Sequence, residues 1–183
     1  EFLDGQGGNG DWLAAYGDVN FTLSDALLTS PLGNDTLANF ENGQLVGGSS
    51  NNFLNAQNWN HWVQIYGSDG NDTLIGGTAS GVLDGQAGSA NQIRDTLTAA
   101  ASNWQLTNST LAGGSHGNFT LASIQQATLT GSGQADRIDT SGFTAGNVSV
   151  DAGGGDDTLV VGGGNVTGDL YNGNSGTDLL ICS

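Results

Sequence analysis

The sequence predicts an all-β protein built as a parallel β-solenoid, of β-helix or β-roll type, with about 20 residues in each rung. Three observations carry that expectation. Gly/Asn/Asp clusters return at near-constant spacing, short runs that alternate apolar and polar residues flank them, and the whole pattern repeats at an offset of 84 residues.

The clusters lie near residues 47, 67, 85, 113, 131, 153 and 173. Glycine supplies positive φ, and Asn and Asp bond their own main chain, so each cluster is a turn with a mechanism. Runs such as "VQIYG", "TLIGG", "NVSVD", "TLVVGG" and "LLIC" sit beside the turns. They alternate over four to six positions, which is the strand period. No segment holds a 3.6-residue stripe. "DALLTSPL" is the best helical candidate, and Pro31 ends it early. Parallel rungs about 4.8 Å apart would make a rod. A β-sandwich is the rival, with hairpins every 8–12 residues or so, but it has no need of a recurring Gly-Asp cluster.

The long repeat sets the domain reading. "GNDTLANFENGQLVGG" from Gly33 matches "GNFTLASIQQATLTGS" from Gly117. "VQIYGSDGNDTLIGG" from Val63 matches "VSVDAGGGDDTLVVGG" from Val148. The chain, 1–183, reads as one solenoid of two units, about 3–82 and 83–169, with the start of a third at 170–183. Neither end shows a capping helix, so end-to-end stacking or membership of a longer array is expected.

Composition narrows the function. Net charge is −16, from sixteen Asp and two Glu against Arg94 and Arg137 alone. Without a basic patch, nucleic acid and anionic lipid are not expected partners. No run reaches the length of a membrane span. The single cysteine, Cys182, cannot form an intrachain disulfide. His61 and His116 have no companion Cys or His at zinc-site spacing, and neither a nucleophile elbow nor a phosphate loop is present. Enzymatic activity is not expected.

The Asp bias points to the turns. "GSDGNDTLI" fits the β-roll template Gly-Gly-x-Gly-x-Asp-x-U-x through Gly67, Gly70, Asp72 and Leu74. "AGGGDDTLV" fits it through Gly153, Gly155, Asp157 and Leu159, and "GNSGTDLLI" through Gly173, Gly176, Asp178 and Leu180. Glycines aim carbonyl oxygens inward, Asp adds charge, and stacked turns could surround a cation that takes roughly six to eight oxygens. The ligand candidates for Ca²⁺ are Asp69, Asp72, Asp156, Asp157 and Asp178, with the turns at Gly70 and Gly155, and more weakly Asp35 and Asp136. The other reading is that Gly and Asp only shape the turns. "GGSSNNFL", with Asn52 and no Asp, reads as a turn that has lost its ligand.

These turns resemble the repeat-in-toxin (hemolysin-type) calcium-binding nonapeptides of secreted bacterial proteins. The longer unit, carried by Trp104, Leu106, Leu111, Phe119, Ile124, Leu129, Asp136 and Ile138 and then "GGGDDTL", resembles repeats of very large bacterial and cyanobacterial surface proteins. The resemblance implies a secreted or cell-surface, adhesive or structural module that self-associates into a fibre or layer and is Ca²⁺-stabilised. A calcium-binding module of a larger secreted protein or enzyme is one alternative. A carbohydrate- or ice-binding β-helix is another, with Trp59, Trp62 and Tyr66 as the contact surface and a cell-surface polysaccharide as partner. The turns here are isolated rather than tandem, which departs from the toxin pattern.

Overall fold

The computed structural model describes residues 1–96, 102–114, 116–162 and 168–183. The described residues are all-β, with no helix. Twenty strands form two ten-stranded sheets. In chain order they are β1 (Phe2–Asp4), β2 (Trp12–Tyr16), β3 (Phe21–Ser24), β4 (Leu27–Ser30), β5 (Gly33–Ala38), β6 (Asn42–Val46), β7 (Phe53–Asn58), β8 (Trp62–Tyr66), β9 (Thr73–Ile75) and β10 (Gly81–Asp84). They continue as β11 (Gln92–Thr96), β12 (Asn103–Thr107), β13 (Thr110–Gly113), β14 (Phe119–Ala122), β15 (Gln126–Thr130), β16 (Arg137–Gly142), β17 (Asn147–Asp151), β18 (Thr158–Val161), β19 (Leu170–Asn172) and β20 (Leu179–Cys182).

The first sheet runs β1-β5-β4-β3-β7-β9-β11-β15-β17-β19, and the second β2-β6-β8-β10-β14-β13-β12-β16-β18-β20. The chain alternates between sheets at nearly every turn, so neighbours within a sheet pair in parallel. Two places break the alternation. β3, β4 and β5 fold back on one another as antiparallel strands in the first sheet, and β12, β13 and β14 do the same in the second. The sheets are therefore mixed rather than wholly parallel. "DALLTSPL" is not helical: Leu27–Ser30 is the middle strand of the first fold-back, and Pro31 sits in the turn after it. Its apolar residues serve a strand that the sheet neighbours on both sides hold extended.

Why these residues make strands is visible in the burial pattern. Alternate side chains of β2, β6, β8 and β15 are buried, as the pleat requires. Register stacks like on like: Ala15, Leu45, Ile65, Leu83 and Leu121 form one inward column of the second sheet. Leu54, Leu74, Ile93, Ala127 and Val148 form its counterpart in the first. The two columns belong to one apolar core between the sheets. Trp59, at the turn between β7 and β8, enters this core over Gly43, where a Cβ would lie 3.2 Å from the indole. Burying so large a ring contributes about 2–3 kcal/mol.

The two sequence units map onto strands in order. β1–β9 correspond to β10–β18, and β19 and β20 repeat β1 and β2. The fold-back falls in the first sheet in one unit and in the second sheet in the other. Each sheet gains two extra strands once, and both end with ten.

Candidate functional site

The predicted metal residues cluster in the turns, and the geometry of one turn explains the rest. β8 ends at Tyr66, and Gly67 continues its ladder by donating its N–H to Asp84 O at 2.8 Å. The chain then swings out through Ser68 (φ 76°) and Gly70 (φ 103°) and returns to β9 at Asp72. The Asp72 side chain folds back over Gly67, where a Cβ would meet Oδ2 at 2.3 Å. Asp72 is only 1 % exposed.

Its Oδ1 accepts the N–H of Asn52 at 2.8 Å, one strand row back. The Asp72 N–H donates in turn to Asn91 Oδ1 at 2.8 Å, and the Asn91 N–H to Gln125 Oε1 at 2.9 Å. A second ladder runs on the opposite side of the sheets. The Ser102 N–H donates to Asp136 Oδ1 (2.8 Å), the Asp136 N–H to Asp157 Oδ1 (2.8 Å), and the Asp157 N–H to Asp178 Oδ1 (3.1 Å). Asp11 opens a short third ladder, donating to Glu41 Oε2 at 2.9 Å. Each ladder solves one problem. The amide just before a strand is buried, and an unpaired buried amide is costly. The next row supplies a side-chain oxygen.

The remaining oxygens are uneven. Asp136 Oδ2 accepts from both the N–H (2.7 Å) and the hydroxyl (2.9 Å) of Ser132. Asp72 Oδ2 and Asp157 Oδ2 are enclosed and have no partner among the described residues. Burial pushes both carboxyls above their ordinary pKa, against the pull of the amides they accept from, and neighbouring carboxylates add to the rise. Asp69 and Asp156 are exposed at the turn tips, and Asp178 lies on the open face of the last row. Asp35 is in strand β5 rather than in a turn. Gly70 and Gly155 both take positive φ. The ladders thus gather Asp72, Asp136, Asp157 and Asp178 in single file. Among the described residues no three acidic or imidazole groups converge to hold a metal.

Sequence reasoning missed Asn52, Asn91, Gln125 and Ser102. Asn52 has lost nothing: it occupies the same place as Asp72 and accepts the Gly48 N–H at 2.7 Å. The signal was a glycine five residues before an Asn or Asp, as in Gly47/Asn52, Gly67/Asp72, Gly131/Asp136 and Gly173/Asp178. An oxygen at that place matters more than a charge.

The predicted aromatic surface is only partly a surface. Trp59 is fully enclosed and belongs to the core, so it offers no face to a ligand. Trp62 and Tyr66 stay half-exposed on the outer face of the second sheet, where Trp62 meets Trp12 edge-on at 5.6 Å. The largest concavity lies elsewhere, a groove of about 390 Å³ beside Phe53, Gln57, Thr78, Arg94 and His116. At its edge both imidazole nitrogens of His116 face acceptors, the Asp95 carboxylate and Gly117 O. Burial lowers the His116 pKa, but the Asp95 hydrogen bond and charge, with the Gly117 carbonyl, outweigh it and raise the net value. Arg94 makes no ion pair among the described residues. No protein-family model matches the chain, and no curated protein matches it.

Proposed function

We propose that this chain is a structural repeat module, with its two sheets the opposite faces of one β-solenoid of about 20 residues per rung. In this reading it serves as a rigid segment of a fibre or surface layer and associates end to end. The observation that carries the reading is the alternation of strands between two sheets that both close at ten rows. The acidic residues support it, because Asp72, Asp136, Asp157 and Asp178 are occupied as hydrogen-bond acceptors for the scaffold. A secreted or cell-surface location belongs to the same reading and rests on the resemblance of the turns. Small-angle scattering tests it: ten rows give a rod about 48 Å long. A near-spherical particle would refute it.

The groove favours a second reading, as a carbohydrate-binding module. It combines an apolar wall at Phe53 with amide, hydroxyl and guanidinium groups from Gln57, Thr78 and Arg94. Retention on polysaccharide resins that is lost in Arg94→Ala would support it. Equal retention of the two proteins would exclude the groove.

A further inference from the structure

The two ends of the molecule are complementary to each other. β1 and β2 are the outermost strands at one end, and β19 and β20 at the other. β19 lies in the same sheet as β1, and β20 in the same sheet as β2. The fold-backs each contribute two antiparallel steps that cancel, so β1 and β19 run in the same direction, as do β2 and β20. A pure translation along the stack therefore sets β1 and β2 of a second copy in parallel beside β19 and β20, in both sheets at once. If either fold-back were missing, one sheet would project beyond the other and the ends could not meet squarely.

The hydrogen bonds at the ends match as well. In the second ladder each amide donates to the Asp of the next row, up to Asp157 N–H to Asp178 Oδ1. The Asp178 N–H then has no acceptor among the described residues. Asp11 occupies the same kind of turn, between β1 and β2, and its own amide continues the series to Glu41. Its Oδ1 accepts no hydrogen bond among the described residues. The strand edges follow the same logic. The Leu179 and Ser183 amides bond β18, so the intervening Leu180 amide faces outward. The Gly17 amide bonds β6, so by the same alternation the Ala14 amide faces outward at the other end. Apolar side chains lie bare at both ends: Leu170, Leu179, Leu180 and Ile181 at one, Phe2 and Trp12 at the other.

We infer that the β19/β20 end binds the β1/β2 end of a second copy of this chain, with the Asp178 N–H donating to Asp11 Oδ1. The inference rests on the solenoid reading and specifies its assembly. The contact is head-to-tail and does not close, so it propagates into a filament with an axial repeat of about 48 Å. Stacked carboxylates meet at the junction, so raised ionic strength strengthens it.

Two edge-blocking variants test it by sedimentation of the 183-residue chain. Ala14→Pro removes an outward amide at one end and Leu180→Pro at the other, and neither amide bonds within the chain. The wild type should form a concentration-dependent ladder of oligomers, and each variant alone should stay monomeric. An equimolar mixture of the two should form a dimer and stop there, because each variant keeps one open end. Asp11→Asn should associate like the wild type, whereas Asp11→Ala should weaken association about tenfold, the equivalent of one hydrogen bond. Oligomers that persist in both single variants, or a mixture no more associated than its parts, would overturn the interface. Scattering on the same samples separates the two levels: a monomeric rod with no association defeats only this inference, and a non-rod monomer defeats the solenoid reading itself.

Discussion

At the residue scale, Asp72 shows what the acidic turns are for. Its Oδ1 holds the Asn52 amide, and its Oδ2 is buried without a partner. The useful part of the side chain is one acceptor oxygen, and the charge is a burden. Asp72→Ala should therefore destabilise the fold by about 2 kcal/mol, leaving a buried amide unpaired. Asp72→Asn should be neutral or stabilising in urea unfolding. The Asn91 amide group already shows how the extra donor is accommodated, bonding Ala87 O and Ser123 O at 3.3 Å. A chelator bears on the same atoms. EGTA should leave the melting temperature within about 2 °C of its starting value, since ligand loss otherwise lowers stability by mass action. A larger fall would place a cation against the orphaned oxygens. The sequence showed the positions of Asp72, Asp136, Asp157 and Asp178, because the glycine spacing repeats. It did not show that Asn52 and Asn91 are their equals, because a motif read for charge passes over amides. Trp59 was misplaced for a related reason: an aromatic in a polar stretch looks exposed until Gly43 is seen to make room for it.

At the element scale, the turns bring backbone against backbone. Gly70 has φ 103°, and a Cβ there would lie 2.5 Å from Ser50 O in the previous row. Gly70→Ala should cost about 2–3 kcal/mol, from left-handed strain and the displaced neighbour together, measured by chemical denaturation. The strands should also differ in exchange. Amides of β8, β9 and β10 lie between rows on both sides and should exchange with solvent at the global unfolding rate, while those of β1 and β20 should exchange fastest. Hydrogen-exchange mass spectrometry reads this directly, and uniform protection would contradict it. The parallel strands were legible because each is a short alternating run beside a glycine turn. The fold-backs were not. β4 is a compact apolar segment ended by Pro31, and local pattern does not distinguish a short buried strand from a helical turn. What decides its conformation is pairing to Asp35 and Thr22 on either side, which are distant choices made by the whole sheet.

At the scale of the whole molecule, protonation and stability are coupled in one direction over most of the accessible pH range. Asp72 and Asp157 have raised pKa values, so the folded chain holds protons that the unfolded chain has released. Stability then rises as pH falls through the raised values toward 3.8, the ordinary value. His116 is also raised, so its pairing with Asp95 contributes fully below about 6.5 and is lost as pH climbs through the folded value. Asp139 works the other way. Burial opposes its ionisation, but the Ser141 and Arg137 contacts prevail and lower its pKa, so its contribution fades below 3.8. The net charge of −16 adds repulsion that acid relieves. The melting temperature should therefore peak between about pH 4 and 6.5 and fall toward pH 9. A maximum above pH 8 by calorimetry would contradict this assignment, and His116→Gln should flatten the alkaline side of the profile.

The paired fold-backs have a consequence for heredity. A unit of nine strands that visits the sheets an odd number of times reverses their roles in its successor. Copying one unit within the gene would thus leave one sheet two strands longer than the other, and the next copying event would level them again. Arrays of this kind are expected to lengthen or shorten by pairs of units, so that their lengths step by about 168 residues, the span of two 84-residue repeats.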